Sequence, residues 1–210
     1  MHNLAIAPTP LREIGMPAWA GETLFVEGDE CESVLEIKRG VARAVAYSSD
    51  GNRQVMAFFF PGDFLGIRLR PHHRFSAEAV DRLLYICRSP DDLQADLTHD
   101  RQDQCAANEA IWREEKAFMR RGQILGRVGA LARVSAFLAY VAPHLTRDDD
   151  VIAFPFPQAD IASYLALTPE TVCRTLRQLR ECEVIEMPRK DRIVIQDARQ
   201  LARIARSLQP

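Results

Sequence analysis

The sequence lacks the features that mark membrane-spanning and secreted proteins. Its 210 residues contain no run of about 18 apolar residues, so no transmembrane span is predicted. The opening residues, MHNLAIAPTPLREIG, lack the charged start and apolar stretch of a secretory signal. We therefore expect a cytoplasmic protein with no membrane partner.

Cysteine pairs and excess charge are also missing. The five cysteines are an odd number without CxxC spacing, which argues against a disulfide framework and a zinc site. They are Cys31, Cys87, Cys105, Cys173 and Cys182. The net charge of −2 argues against a purely electrostatic DNA binder but permits base-specific binding, which needs only a local patch. With no nucleophile–base pair or phosphate-cradling glycine loop, an enzyme is not expected.

Residues 158–180 have the pattern of two short amphipathic helices. Apolar residues recur at helical spacing in both halves: Ile161, Ala162 and Leu165, then Val172, Leu176 and Leu179. Thr168 is placed to cap the second helix, and Pro169 suits its first position, where a missing N–H costs nothing. A break at residues 166–168 separates the two halves, so a helix-turn-helix is predicted.

The polar face of the second predicted helix carries side chains suited to reading DNA. These are Glu170, Thr171, Cys173, Arg174 and Arg177. An arginine can bind O6 and N7 of guanine, and a glutamate can accept a hydrogen bond from N4 of cytosine. The alternative is a solvated arginine-rich face, because helix-turn-helix pairs also occur in proteins that never touch DNA.

A hairpin signal directly follows the second helix. Residues 184–187 alternate, residues 188–191 form a polar turn, and residues 192–195 return as a second strand. Arg189 and Lys190 would lie at the tip and contact phosphates, which fixes position rather than reading sequence. The whole segment is therefore predicted to be a winged helix-turn-helix.

The N-terminal part shows a different periodicity. Residues 1–20 have little pattern and are interpreted as a loose arm. Residues 21–100 contain short alternating runs separated by Gly-Asp and Asp-Gly turns, which predicts a small antiparallel sandwich or barrel. Strands are expected over residues 23–26, 34–37, 41–47, 54–60, 76–80 and 83–87.

A long helix is predicted over residues 102–125, within a segment at 101–128 that links the two parts. Five apolar residues on it, here called the dimerisation stripe, are Ile111, Trp112, Phe118, Met119 and Leu125. Such a stripe favours either a parallel helix pair across a dimer axis or packing on the sheet domain. The C-terminal domain, residues 129–210, begins with a helix over 129–142. A polar turn at 146–150 and a strand over 151–156 follow it.

Particular motifs accompany this order of elements. They are Gly28-Asp29, Gly40, Phe60-Pro61-Gly62-Asp63-Phe64-Leu65-Gly66, Asp160-Ile161-Ala162-Ser163-Tyr164-Leu165 and Glu170-Thr171-Val172-Cys173-Arg174. Over residues 20–200 the chain resembles the cyclic-AMP receptor protein / fumarate-nitrate regulator (CRP/FNR) superfamily. Arg-Phe-Ser-Ala-Glu-Ala at 74–79 is similar to the FixK-like branch. The resemblance implies an α+β fold: an N-terminal antiparallel β-roll like a cyclic-nucleotide-binding domain, a long dimerisation helix and a C-terminal winged helix-turn-helix.

The resemblance also indicates what the β-roll has lost. Cyclic-nucleotide members place a glutamate just after the Phe-x-Gly turn and an arginine immediately before Ser-Ala. Ile67 and Phe75 occupy these positions here, so we expect no cyclic nucleotide. The iron–sulfur members use N-terminal cysteines, and none precedes Cys31, so no cluster and no other cofactor is expected.

The sequence leaves two other kinds of ligand possible for the roll, an anion and a haem or metal. Arg68 and Arg74 leave room for an unidentified anion, with a plain loop as the alternative. His72 and His73 suggest haem or a metal, although a two-histidine loop is more often exposed, and no metal site is predicted. A cupin-like β-barrel enzyme is a remote alternative, because no histidine lies on a predicted strand.

The recognition helix matches the family better. Members with Glu-x-x-Ser-Arg here favour TTGA-type half-sites arranged as an inverted repeat. Glu170 and Arg174 match, Cys173 replaces the serine, and Ala166 replaces a frequent turn glycine, which demands a slightly different turn. The resemblance implies that Arg174 binds guanine, Glu170 binds the opposite cytosine, and Cys173 contacts a thymine methyl or a phosphate. A palindromic site implies a two-fold dimer with recognition helices about 34 Å apart.

Cys173 suggests redox control. It lies in the first turns of a helix beside Arg174, and both features favour a thiolate that peroxide can oxidise. FixK-like proteins with this cysteine are thought to lose DNA binding on oxidation, and the resemblance implies the same here. The alternative is a small groove-facing residue without a redox role.

These patterns together indicate a homodimeric, DNA-binding transcription regulator, expected to be an activator that contacts RNA polymerase. The expected target is a TTGA-N6-TCAA-like inverted repeat, bound without a cyclic nucleotide. The open alternative is the same fold with a small-ligand or haem/nitric-oxide sensor role in the β-roll.

Overall fold

A computed structural model describes residues 15–67, 71–89 and 101–206, without the side chains of residues 101–104, 106 and 107. The predictions for Arg68 and for residues 1–14 of the arm lie outside the described residues. In that part of the chain no helix is long and apolar enough to cross a membrane.

The N-terminal domain is an antiparallel β-roll of two facing sheets. Its strands are β1 (Met16–Ala18), β2 (Thr23–Phe25), β3 (Val34–Arg39), β4 (Ala42–Tyr47), β5 (Arg53–Phe59), β6 (Phe64–Leu65), β7 (Ser76–Ala79) and β8 (Leu83–Arg88). One sheet has the order β1-β8-β3-β6 and the other β2-β7-β4-β5. Alternate residues of β4 and β5 are buried between the sheets, as the period-two pattern predicts. The six predicted strands are confirmed, with ends shifted by two residues at most.

Two strands of the roll were not predicted. The interpretation of residues 1–20 as a loose arm is wrong for Met16–Ala18, because this segment pairs with β8, Met16 opposite Tyr85. Phe64–Leu65 pairs with Leu35 and Glu36 of β3, inside a motif that was interpreted only as a turn. Both segments are too short to show a periodic pattern and are held by their partner strand.

The predicted long helix is confirmed as α1 (Arg101–Leu125). Its buried face carries Ala110, Glu114, Ala117 and Ile124, which are between 1% and 6% exposed. Small residues at two of these positions let the helix lie close against the roll. One carboxylate, Glu114, is buried in this otherwise apolar face.

The structure divides the dimerisation stripe into two parts. Ile111 packs against a cluster that includes Ile67, and the Phe118 ring lies 5.1 Å from that of Phe75, so these two residues face the roll of their own chain. Trp112 and Met119 are 53% and 58% exposed. Packing on the sheet domain therefore accounts for part of the stripe, and the exposed pair remains available for a partner.

The C-terminal domain is a winged helix-turn-helix. Its helices are α2 (Ala130–Val141), α3 (Gln158–Leu165), α4 (Pro169–Glu181) and α5 (Ala198–Arg206), with a one-turn 3-10 helix at Ala142–His144. Its strands are β9 (Arg147–Asp148), β10 (Val151–Ala153), β11 (Ile185–Arg189) and β12 (Arg192–Ile195), in the order β11-β12-β10-β9. The wing is thus the outer hairpin of a four-stranded sheet.

Several local predictions in this domain need correction. The expected polar turn at residues 146–150 contains β9, and the expected strand over 151–156 ends at Ala153. Pro188 and Arg189 belong to β11, so the turn of the wing is shorter than predicted. Helix α5 was missed, although Leu201 and Ala205 recur at helical spacing and are buried against the domain core.

An aromatic cluster joins the two domains. The Phe58 ring of β5 lies 5.8 Å from Phe137, 4.9 Å from Phe156 and 5.0 Å from Tyr164 in the C-terminal domain. All four rings belong to one hydrophobic core. Large apolar areas buried between domains oppose their relative motion, so the DNA-binding domain is docked on the roll in this structure.

Charged groups surround this aromatic contact. Asp160 of α3 is 4% exposed and forms ion pairs with Arg43 of β4 and, at 2.9 Å, with Arg53 of β5. Glu78 of β7 pairs with both arginines at 2.7 Å. The backbone N–H of Val55 also donates to the Ser163 hydroxyl at 2.9 Å. These contacts place the first helix of the helix-turn-helix against one sheet of the roll.

Candidate nucleic-acid interface

The turn between α3 and α4 depends on one residue with a left-handed backbone. Ala166 has φ 51° and ψ 50°, a conformation that glycine adopts freely and that costs an alanine roughly 1 kcal/mol. The backbone N–H of Leu167 donates to the carbonyl of Ala162 at 2.9 Å and closes the end of α3. The expectation that alanine demands a different turn is not met, because Ala166 takes the backbone that suits glycine.

Helix α4 begins as predicted. The Thr168 hydroxyl accepts a hydrogen bond from the backbone N–H of Thr171 at 3.2 Å, and Pro169 occupies the first helical position. Val172, Leu176 and Leu179 are at most 4% exposed and pack toward the domain core. The cap and the apolar stripe together fix the position and rotation of the helix.

The opposite face of α4 is open to solvent. Glu170, Cys173, Arg174 and Arg177 are all exposed on it. Hydrogen bonds from its own backbone N–H and from Thr168 lower the pKa of the Glu170 carboxyl, so this side chain is an ionised acceptor at neutral pH. The structure thus brings together four of the five residues predicted for this face.

Thr171 stands apart from the other four. It is half-buried, and its hydroxyl lies 3.1 Å from the Thr168 hydroxyl. Its backbone carbonyl accepts a hydrogen bond from the Thr175 hydroxyl at 2.7 Å. Its side chain therefore contacts the capping residue Thr168, and direct contact with a base stays only a prediction for Thr171.

The wing presents its basic residues at the tip. Arg189 and Lys190 are exposed beside the turn between β11 and β12. Arg192, at the start of β12, pairs with Asp191 at 3.0 Å. Ile185 and Ile193 of the wing pack in the same hydrophobic core as the buried face of α4. The wing and α4 are therefore held in one domain.

The position of the cyclic-nucleotide pocket of the resembled family is filled by the chain itself. The Glu114 carboxylate accepts hydrogen bonds from the backbone N–H groups of Gly66 and Ile67, at 3.0 and 3.4 Å. The cavity left here among the described residues measures about 10 Å³. Pockets for small molecules are of the order of 300–1,000 Å³, so this cavity, as the described residues line it, is far smaller than a usual ligand pocket.

Two of the remaining polar residues of this loop are also engaged. His73 is 8% exposed, which corrects the expectation of an exposed loop for this residue, whereas His72 is exposed as expected. Its ring stacks on Phe25 at 3.8 Å, and Nδ1 lies 3.4 Å from the Cys31 sulfur. Arg74, which also lines this small cavity, pairs with Glu115 at 2.8 Å. In the described part of the chain no three His, Cys, Asp or Glu side chains are grouped as metal ligands.

Family profiles match both domains. The Crp-like helix-turn-helix domain matches residues 132–204, and the cyclic nucleotide-binding domain matches residues 18–95. The chain is 34% identical over 207 residues to nitrogen fixation regulation protein FixK from Azorhizobium caulinodans, covering 91% of this chain and 79% of that protein. It is 35% identical over 164 residues to FixK from Bradyrhizobium diazoefficiens, covering 76% and 69%.

Solved structures agree with these matches. FixK2 from Bradyrhizobium japonicum has a TM-score of 0.85 at 28% identity, covering 93% of this chain and 98% of that one. A CRP-family transcriptional regulator from Thermus thermophilus shares the fold with a TM-score of 0.74 at 23% identity, covering 91% and 97%. The chain belongs to the CRP/FNR family of DNA-binding transcription regulators, and within it to the FixK-like branch.

Proposed function

We propose that this regulator acts as a homodimer that binds a TTGA-N6-TCAA-like inverted repeat, without a cyclic nucleotide. The observation that carries the proposal is the exposed face of α4, where Glu170, Cys173, Arg174 and Arg177 lie on a helix fixed by its cap and its buried stripe. A convex helix with an ionised acceptor and two forked donors suits a major groove.

The proposal assigns a DNA contact to five of the exposed residues. Arg174 binds O6 and N7 of the guanine, and Glu170 accepts from N4 of the cytosine on the opposite strand. Cys173 contacts a thymine methyl or a neighbouring phosphate. Arg189 and Lys190 contact phosphates from the wing and position the domain without reading sequence.

The dimer of the proposal uses α1. Trp112 and Met119 are large apolar side chains that are more than half exposed in the single chain, which supports their burial against a second copy. A two-fold dimer with recognition helices about 34 Å apart matches the two half-sites. Ile111 and Phe118 pack on the roll of their own chain, and the half-buried Leu125 would extend the interface at the end of α1. In this proposal the bound dimer activates transcription by contacting RNA polymerase.

Replacing Arg174 with alanine tests the assigned base contact. We expect affinity for the inverted repeat to fall by about 1–3 kcal/mol, and discrimination at the guanine of TTGA to be lost. The measurement is fluorescence anisotropy with duplexes that carry each of the four base pairs at that position.

The matched control for this experiment is Arg189→Ala. It is expected to weaken binding to all the duplexes alike and to reduce the salt slope of the affinity by about 1, as loss of a phosphate contact does. If Arg174→Ala also weakened all duplexes alike, the assignment of Arg174 to guanine would be wrong.

We further propose that oxidation of Cys173 switches off DNA binding. The thiol is exposed on the same face as Arg174, where a sulfinate would place negative charge against the DNA backbone. Peroxide is expected to abolish selective binding by the wild type and to leave Cys173→Ser active. Equal loss of binding in both proteins would rule out this role for Cys173.

A further inference from the structure

A row of cations follows one flank of α1. Arg113 and Arg120 lie on the helix with Lys116 between them, and Arg127 continues the seven-residue spacing two residues past the helix end at Leu125. Arg113 and Arg120 each follow a residue of the dimerisation stripe by two positions, and successive helical residues are rotated by about 100°. The basic flank therefore lies on nearly the opposite side of the helix from Ile111 and Phe118.

Two cavities lie along this flank. The first measures about 320 Å³ and lies between α1, the turn at residues 60–63 and the end of α2. The second measures about 430 Å³ and lies between α1, α2 and α5. They adjoin each other, because Arg120, Tyr140 and His144 line both. We call the two together the basic cleft. Either cavity is large enough for a small ligand.

Cations outnumber carboxylates in the basic cleft, where the described acidic residues are Asp63 and Glu109 of the first cavity. Arg113 pairs with Glu109 at 2.9 Å and donates to the Gly62 carbonyl at 3.2 Å. In the described structure Lys116, Arg120, Arg127 and Arg206 form no ion pair with a carboxylate. Among the described residues none that lines the second cavity is acidic, although the whole chain has a net charge of −2.

Neutral partners hold these cations in place. The Arg120 guanidinium lies 5.3 Å from the centre of the Tyr140 ring and donates to the Gln123 side-chain oxygen at 3.0 Å. The Lys116 ammonium lies 4.3 Å from the centre of the Trp112 ring. Arg127 Nε is buried with no hydrogen-bond partner among the described residues. A buried donor of this kind is costly unless an acceptor reaches it.

We propose that the basic cleft binds a small molecule that carries an oligophosphate group. Guanidinium groups bind phosphate oxygens with paired hydrogen bonds, and several cations along one flank match a chain of phosphates better than a single anion. The ligand would touch α1 and α5 together, so it would link the dimerisation helix to the DNA-binding domain. This site is separate from the filled pocket of the β-roll.

Isothermal titration of the full-length, reduced protein with inorganic tripolyphosphate, and separately with ATP, tests the proposal at constant ionic strength. Saturable binding with one site per chain is expected for at least one probe. Arg120→Gln should weaken it about ten-fold or more, since loss of a charged hydrogen bond of about 1.5–3 kcal/mol has that effect. Equal affinities would assign recognition to the phosphates alone, and tighter binding of ATP would add a nucleoside contact.

The control is Arg199→Gln, which removes an exposed arginine of α5 outside the cleft and should leave the affinity unchanged. Thermal melts establish that each variant folds. If Arg120→Gln melts at a lower temperature than the wild type, the exposed Lys116→Gln replaces it. This second variant should lower the affinity for the probe several-fold without affecting folding. Absence of saturable binding with both probes would overturn the proposal. The proposal would also be overturned if Arg174→Gln lost binding of the probe while Arg120→Gln kept it. The phosphate would then lie on the DNA-binding face.

Discussion

Asp160→Ala is expected to lower the free energy of unfolding by about 3 kcal/mol, because it removes one of two carboxylates that neutralise a pair of largely buried arginines. The Arg43 and Arg53 side chains are 11% and 30% exposed, and Glu78 alone would remain to pair with both. Burial lowers the pKa of an arginine, but the bonds from Glu78 and Asp160 outweigh it and raise the pKa of Arg53. Urea denaturation at pH 7 measures the change.

A double-mutant cycle shows whether the loss of stability in Asp160→Ala arises from the contact between the two domains. Arg53 lies on the roll and Asp160 on the DNA-binding domain, so their coupling energy reports on docking. We expect a coupling of roughly 1 kcal/mol or more for Asp160→Ala with Arg53→Ala, and none with the exposed Glu181→Ala. Strictly additive effects of the first pair would show that the ion pair does not stabilise the docked arrangement.

The second large effect is a dependence of stability on pH that comes from Glu114. Burial, partly opposed by the hydrogen bonds from Gly66 and Ile67, raises the pKa of the Glu114 carboxyl to about 7. Arg74 lowers the pKa slightly and Glu115 raises it. An unfolded glutamate has a pKa of about 4.3, so the folded chain binds the proton more tightly and stability falls as pH rises.

The expected loss is about 4 kcal/mol, incurred between about pH 4.3 and pH 7 and constant above that range. Glu114→Gln keeps an oxygen for the two backbone N–H groups and cannot titrate, so it should remove this loss. The measurement is the difference in unfolding free energy between wild type and Glu114→Gln at pH 5, 6, 7 and 8. The exposed Glu109→Gln should follow the wild type. A difference that does not change with pH would contradict this account of Glu114.

The recognition helix could be predicted because its signals are local. A cap, a proline at the first position and three apolar residues at helical spacing lie within thirteen residues. The same holds for most strands of the roll, whose turns and alternation are contained in short windows. Strand β1 and the short β9 carry no such signal, since they are held in place by a partner strand.

Contacts between distant residues could not be predicted. Arg43 and Asp160 are 117 positions apart, and each has the sequence context of an ordinary surface charge. Glu114 lies in a polar stretch of α1, where a glutamate normally faces solvent, and only the position of the roll shows that it is buried. Burial, and with it the shifted pKa, depends on how the elements pack.

The division of the dimerisation stripe has the same origin. Heptad spacing identifies residues on one side of a helix but does not say whether that side meets a partner or the chain's own roll. The aromatic rings of Phe59 and Phe75, contributed by the sheet domain, hold Phe118 in this structure. Trp112, by contrast, is 53% exposed.

The most direct test of the account is the affinity of the reduced, ligand-free protein for a duplex with TTGA and TCAA half-sites, compared with a scrambled duplex. Both are measured at the same salt concentration, because non-specific binding weakens steeply as the salt concentration rises. We predict selective binding, tighter by about 10³-fold or more for the inverted repeat, with one dimer per duplex. Equal affinity for the two duplexes would contradict the proposal that Glu170 and Arg174 read this sequence without an effector.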